Sequence, residues 1–233
     1  MHAPRAIVFD LDGTLIDSRG DIVAAVNHAL IASGRDALPA STIVRFIGDG
    51  ARALLSRTAR VGEDAAPELD ALVASYTAYY PAHPLEFTRW VEGAREALEE
   101  IRSQGALRVA LCTNKPRAIT TEVLRALDAE RTFDATWAGG DGPEKKPSPG
   151  PLLRLAEALA LPASDLVMVG DGPQDVLAGR AAKCRTVALL SGYGSPSELR
   201  LAGPDVAIAS MSELAGILRR WSTPTKRTSD ERR

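Results

Sequence analysis

Six short apolar runs set the terms for this chain, at residues 6–9, 109–112, 135–138, 166–169, 186–190 and 206–209. Each has the length of a strand and is apolar nearly throughout, without the in–out alternation of a half-exposed sheet. That pattern belongs to strands covered on both faces, as in a parallel sheet. Helical patterns at 94–101, 118–127, 152–159, 175–182 and 212–218 lie between or after them. Gly105 stands where the first of these needs a C-cap. Regular strand–helix alternation predicts an α/β core with a doubly wound, Rossmann-like parallel sheet.

One stretch breaks the rhythm. Residues 17–87 contain no convincing strand. Ile22, Val23, Val26 and Leu30 form one apolar stripe at helical spacing, and Leu69, Leu72, Val73 and Tyr76 form another. Between them, Phe46-Ile47-Gly48-Asp49-Gly50 reads as a break between helices. The simplest account is a helical cap inserted after the first strand. It would sit over the carboxyl ends of the strands, where open α/β sheets bind ligands. The expected division is a core of residues 1–16 and 88–221, a cap of 17–87 and a disordered, charged tail of 222–233.

Composition narrows the function classes. The chain has 233 residues, 45% hydrophobic and 25% charged, the balance of an ordinary globular protein. Its formal net charge of −2 offers no global field for nucleic acid or anionic lipid, so neither partner is expected. No window approaches the roughly 18 uninterrupted apolar residues of a membrane span, and no signal peptide is apparent, so a cytoplasmic location follows. Cys112 and Cys184 read as buried or semi-buried free thiols.

The chemistry is concentrated at the ends of the apolar runs. Asp10 and Asp12 follow the first run, two carboxylates two residues apart, with Gly13 allowing a tight turn. They suit either a polar turn or a pair whose repulsion is relieved by a cation or a shared proton. The second run ends in Thr113-Asn114-Lys115-Pro116, whose hydroxyl and amide can cap a helix or donate to phosphate oxygens. The third leads to Lys145-Lys146-Pro147, where one ammonium can reach the same crevice, and Lys145 reads as solvated. The fourth ends in Gly170-Asp171-Gly172-Pro173-Gln174-Asp175. There Asp175 can open the next helix, whereas Asp171 has no such structural excuse. Acid, hydroxyl, lysine and acid at four successive strand ends form a joint signal much stronger than any one of them.

In these four segments the chain resembles the haloacid dehalogenase superfamily, and its phosphoglycolate phosphatase branch most closely. The resemblance runs from about Ala6 to Ile217 and includes Gly192-Tyr193-Gly194 after the fifth core strand. It implies a Mg²⁺-dependent phosphatase acting on a small-molecule phosphate ester, most closely 2-phosphoglycolate, as a monomer or homodimer. Another phosphometabolite, such as a sugar phosphate or pyrophosphate, a sugar phosphomutase activity, and a silent binding module are the alternatives. By the same resemblance Asp10 is the nucleophile that becomes an aspartyl-phosphate. Asp12 is the general acid and base. Lys146 neutralises the phosphoryl group, and Thr113 and the Asn114 backbone hold its oxygens. Asp10, Asp12 (through its carbonyl) and Asp171 hold the metal, with Asp175 in its ligand shell or ordering its loop. An acid at position 12 separates phosphate-ester chemistry from dehalogenation, where a halide needs no proton.

Departures from the pattern are few. Gly172 stands in place of the usual Ser or Thr, Lys183 where many relatives have Gly, and Trp90-Val91 where the branch often has Pro-Tyr before Gly93. In the cap, Gly48 and Gly50 are expected to face substrate. Arg45 or Arg52 suits either a second anionic group of the substrate or plain solvation.

Overall fold

The computed structural model describes residues 3–62, 65–83 and 85–222. Over these residues the strands are β1 (Ala6–Phe9), β2 (Ile16–Asp17), β3 (Arg89–Trp90), β4 (Arg108–Pro116), β5 (Ala135–Gly139), β6 (Leu166–Gly170), β7 (Arg185–Leu189) and β8 (Val206–Ile208). Six of them form one parallel sheet in the order β5–β4–β1–β6–β7–β8. The sheet grows outward from β1 in both directions, first through β4 and β5, then through β6 to β8. The strand order therefore reverses at β1, the place where a doubly wound sheet opens a crevice at its carboxyl edge.

The apolar runs are buried on both faces because alternate residues serve different layers. Ile7, Phe9, Val109, Leu111, Val167 and Val169 face one core, and Ala6, Val8, Ala110, Cys112 and Met168 face the other. The first layer is covered by α5 (Ala94–Gln104), α6 (Arg117–Ala126) and α10 (Leu214–Ser222), and the second by α7 (Gly150–Ala158) and α8 (Pro173–Ala181). Gly105 does take the left-handed conformation (φ 64°) that closes α5. Both cysteines are buried, and burial pushes each thiol up to about 12. No helix among the described residues is long and apolar enough to cross a membrane.

The helical insertion holds α1 (Arg19–Ala32), α2 (Ala40–Val44), α3 (Ala51–Ala59) and α4 (Ala66–Ala82). Ile22, Val26, Leu30, Leu69, Leu72 and Tyr76 are buried, as their spacing predicts, and belong to the same core cluster as Leu11, Leu15 and Ile16. The chain leaves and re-enters the sheet side by side: β2 pairs antiparallel with β3, Ile16 opposite Trp90 and Asp17 opposite Arg89. Buried Asp21 fastens this crossing, accepting bonds from the amides of Phe87 (3.1 Å) and Thr88 (2.8 Å) and from the Thr88 hydroxyl (2.5 Å).

Several boundaries differ from expectation. β4 runs on to Pro116 instead of ending at Cys112, because its polar end is buried beside the insertion. The short β2–β3 pair and α9 (Pro196–Ala202) carry no periodic signal long enough to read. Ser222, expected in a disordered tail, is the last residue of α10. The rest of that expected tail, 223–233, lies outside the described residues.

Candidate active site

The carboxyl ends of β1, β4 and β6 bring the separated motifs together. The Asp10 amide still donates to Val169 in the sheet (2.9 Å), which fixes the residue as the chain turns away. The turn is held by bonds from Leu15 and Ile16 to the Leu11 carbonyl (2.9 and 3.0 Å). Gly13 is required in it. Its φ is +85°, and a Cβ there would lie 2.2 Å from an Asp171 carboxylate oxygen. Asp171 is otherwise held by the Thr14 hydroxyl (2.9 Å) and the Tyr193 amide (2.6 Å).

Lys146 is the hub. Its side chain is 1% exposed, and its ammonium donates to Asp10 (2.7 Å), Asp175 (2.6 Å) and the Cys112 carbonyl (2.6 Å), using all three donors. Asp10, Asp171 and Asp175 each offer an oxygen within 4.8 Å of the others, and all three are buried. Lys146 is the cation that this trio shares, so full ionisation leaves two negative charges over. The strain appears in the proton affinities. Burial, opposed by Lys146 and reinforced by Asp175 and Asp171, pushes Asp10 up to about 8. Burial and the Asp175 charge push Asp171 up to about 7. Burial disfavours the Lys146 charge, yet Asp10 and Asp175 outweigh it and hold its pKa above the ordinary value. Hard carboxylate oxygens with a two-charge surplus fit a divalent cation.

Asp175, expected in the metal's ligand shell or ordering its loop, has both oxygens engaged, one by Lys146 and the other by the Gly172 amide (3.0 Å). It orients the lysine and the turn that carries Asp171. Asn114 also does more than expected. Its side-chain amide is committed to structure, bonding the Gly48 carbonyl (2.9 Å) and both backbone groups of Lys146 (2.9 and 3.0 Å). Only its backbone is left for a phosphate oxygen. Thr113 is buried, and its hydroxyl accepts from the Lys115 amide (3.1 Å).

Asp12 is not one of that carboxylate trio. It accepts from the Ser18 hydroxyl (2.6 Å) and from the Lys115 ammonium (2.9 and 3.2 Å). Lys115 in turn donates to the Tyr80 hydroxyl (3.0 Å) and lies 4.4 Å from the centre of that ring. Sequence reasoning quoted Lys115 but gave it no task. The missed signal was the length of β4: Lys115 still lies within the strand. Ser18 and Tyr80 carry no local signal at all.

Two openings meet here. A narrow cavity of about 30 Å³ is lined by Asp10, Asp12, Thr113, Asn114, Lys115 and the insertion, including Gly48 and Gly50. A wide groove of about 780 Å³ reaches Asp12 and Asp171 from outside, along Arg45, Arg57 and Tyr193. Arg45 thus lines the groove, stacked over Phe46 (5.0 Å), and not the cavity with Asp10. Arg52 is paired with Asp70 on the surface (2.5 Å), and Lys145 donates to the Asp49 carbonyl (2.9 Å).

Comparison with known proteins gives the family. The family model described as haloacid dehalogenase-like hydrolase matches residues 7–189. A phosphoglycolate phosphatase of Neisseria meningitidis serogroup A is 36% identical over 90% of this chain and 92% of its own. One of Nitrosospira multiformis is 33% identical over 95% and 100%. The crystal structure of a predicted phosphoglycolate phosphatase from Haemophilus somnus superposes with a TM-score of 0.85 at 27% identity, covering 93% of this chain and 99% of that one. With its strand order, its acid–lysine–acid centre and these relatives in agreement, the chain belongs to the haloacid dehalogenase-like hydrolases.

Proposed function

We propose that the phosphatase activity of this chain is directed at 2-phosphoglycolate, with Mg²⁺ as the divalent ion and Asp10 as the nucleophile. The observation that carries the reading is the Lys146 ammonium bridging Asp10 and Asp175 beside Asp171, at the carboxyl edge of the sheet. The named relatives support the substrate. The cavity beside Asp10, at roughly 30 Å³, holds little more than one or two waters, so a substrate enters only when the insertion shifts.

In this reading residues 17–87 act as a cap over a core of residues 1–16 and 88–221. Asp10, Asp171 and the Asp12 carbonyl hold the metal, which when bound lets an anionic carboxylate approach an anionic phosphate. A carboxylate oxygen of Asp10 attacks phosphorus, and the bond to the leaving alkoxide breaks as that oxygen takes a proton from Asp12. Water then attacks the aspartyl-phosphate. Asp12 takes its proton, the bond from phosphorus to Asp10 breaks, and inorganic phosphate leaves. Lys146 aims Asp10 and opposes the rise in its proton affinity, while Thr113 and the Asn114 amide receive phosphoryl oxygens. Gly48 and Gly50 bring the cap loop against Asn114, and Arg45 draws anions into the outer groove. The enzyme is further proposed to work in the cytoplasm, as a monomer or homodimer.

Asp10→Asn is expected to abolish Mg²⁺-dependent release of phosphate from 2-phosphoglycolate while the circular dichroism spectrum is unchanged. Near-normal turnover by that variant would remove Asp10 from the role of nucleophile.

A further inference from the structure

We propose that Lys115 is the receptor for the carboxylate of the substrate, which it binds by exchanging its present partner, Asp12. This rests on the phosphatase reading above and adds the residue that selects an acidic substrate.

Three observations support the assignment. First, Lys115 is the one cationic side chain among the described residues that line the narrow cavity with Asp10. The other side chains there include Ile22, Ile47, Ala51 and Leu54, which offer an anion nothing. Second, the ammonium is fixed in place. Its side chain is 2% exposed, and Tyr80 of the insertion holds it by a hydrogen bond and by its ring face. A buried, prepositioned charge discriminates more sharply than a mobile surface one. Third, its donors are already engaged. Tyr80 takes one and the Asp12 carboxylate the others, so an arriving carboxylate must compete with Asp12. Asp12 can yield, because the Ser18 hydroxyl remains bonded to it at 2.6 Å.

The exchange links recognition to chemistry. While Lys115 grips Asp12, both oxygens of that carboxylate are engaged by the ammonium. A substrate acid that captures the ammonium frees Asp12 to turn to the leaving oxygen. A phosphate ester without a second anion leaves Asp12 gripped. The arginines expected from sequence for this task lie elsewhere, Arg45 in the outer groove and Arg52 on the surface with Asp70.

The test is a ratio of kcat/KM values, for 2-phosphoglycolate against its uncharged amide, measured with Mg²⁺. Wild-type enzyme should favour the acid by about 100-fold or more, since a site built for a polar group rejects an analogue lacking it. Lys115→Met should slow both esters, because Asp12 also loses its partner, but the ratio should collapse to within about 3-fold of one. Lys115→Arg, which keeps the cation and guards against a misfolded Met variant, should retain a preference above about 10-fold. Equal slowing of both esters with the ratio intact would show that Lys115 serves Asp12 alone, and would overturn the proposal. A wild-type ratio near one would overturn it as well, with the phosphatase reading left standing. Failure of the wild-type enzyme to hydrolyse either ester would overturn both.

Discussion

Replacing Lys146 with Met tests the charge economy of the site directly. The lysine is 1% exposed and bridges two buried carboxylates at 2.7 and 2.6 Å, so the variant leaves both without their cation. Removing one partner of a buried, hydrogen-bonded pair costs about 3–5 kcal/mol. For a chain of this size each kcal/mol moves Tm by about 2–4 °C, so the expected fall is roughly 6–20 °C. The cost should depend on pH with a definite sign. Asp10 already titrates near 8 in the folded protein, far above its ordinary 3.8, chiefly through burial, and loss of the lysine removes the charge that opposed this. A carboxyl that holds a proton when folded but releases it when unfolded makes stability fall as pH rises between its two pKa values. The melting point of Lys146→Met should therefore lie closer to wild type at pH 6 than at pH 10, because wild-type Asp10 ionises near 8 while the variant's stays protonated above that. Calorimetric scans of metal-free protein at both values make the comparison. A loss of about 1 kcal/mol or less, typical of an exposed pair, or the same loss at both pH values, would refute the reasoning.

The same surplus charge predicts the behaviour of the unaltered protein. With metal removed by chelation, stability should decline as pH rises from about 4 to 8, because Asp10 and Asp171 are both raised when folded, mainly by burial. Added Mg²⁺ should raise Tm more at pH 8 than at pH 5, since ligands must be deprotonated to bind; a flat metal-free profile contradicts the account. Away from the site, Lys183 adopts a left-handed backbone (φ 61°) just past the end of α8. Lys183→Gly should stabilise the protein by about 1 kcal/mol, seen in urea unfolding, with no change in turnover; destabilisation by that change would show the strain is absent.

How much of this could be read beforehand depended on whether the cause was local. The sheet was legible because burial on two faces writes itself into four or five consecutive apolar residues, as in Leu166–Gly170. Asp10, Lys146 and Asp171 were legible because each follows such a run, and a parallel sheet sends all its carboxyl ends to one edge. Lys183 stood out as a lysine where the helix end favours glycine, and its positive φ follows. The pairing of Asp12 with Lys115 was hidden, since it joins residues 103 apart and needs Tyr80 from the insertion to complete it. The structural duty of Asn114 was hidden for the same reason, as its partners Gly48 and Lys146 come from two other loops. Arg45 was read from charge near a glycine turn, and charge alone does not tell an inner wall from an outer one.

The antiparallel contact of β2 with β3 brings the two ends of the insertion to neighbouring positions. Asp17 and Arg89 face each other as partners, and paired residues of that kind stand only about 5 Å apart. A two-residue hairpin turn spans such a gap. Splicing one between them would shorten the chain without stretching the parallel sheet.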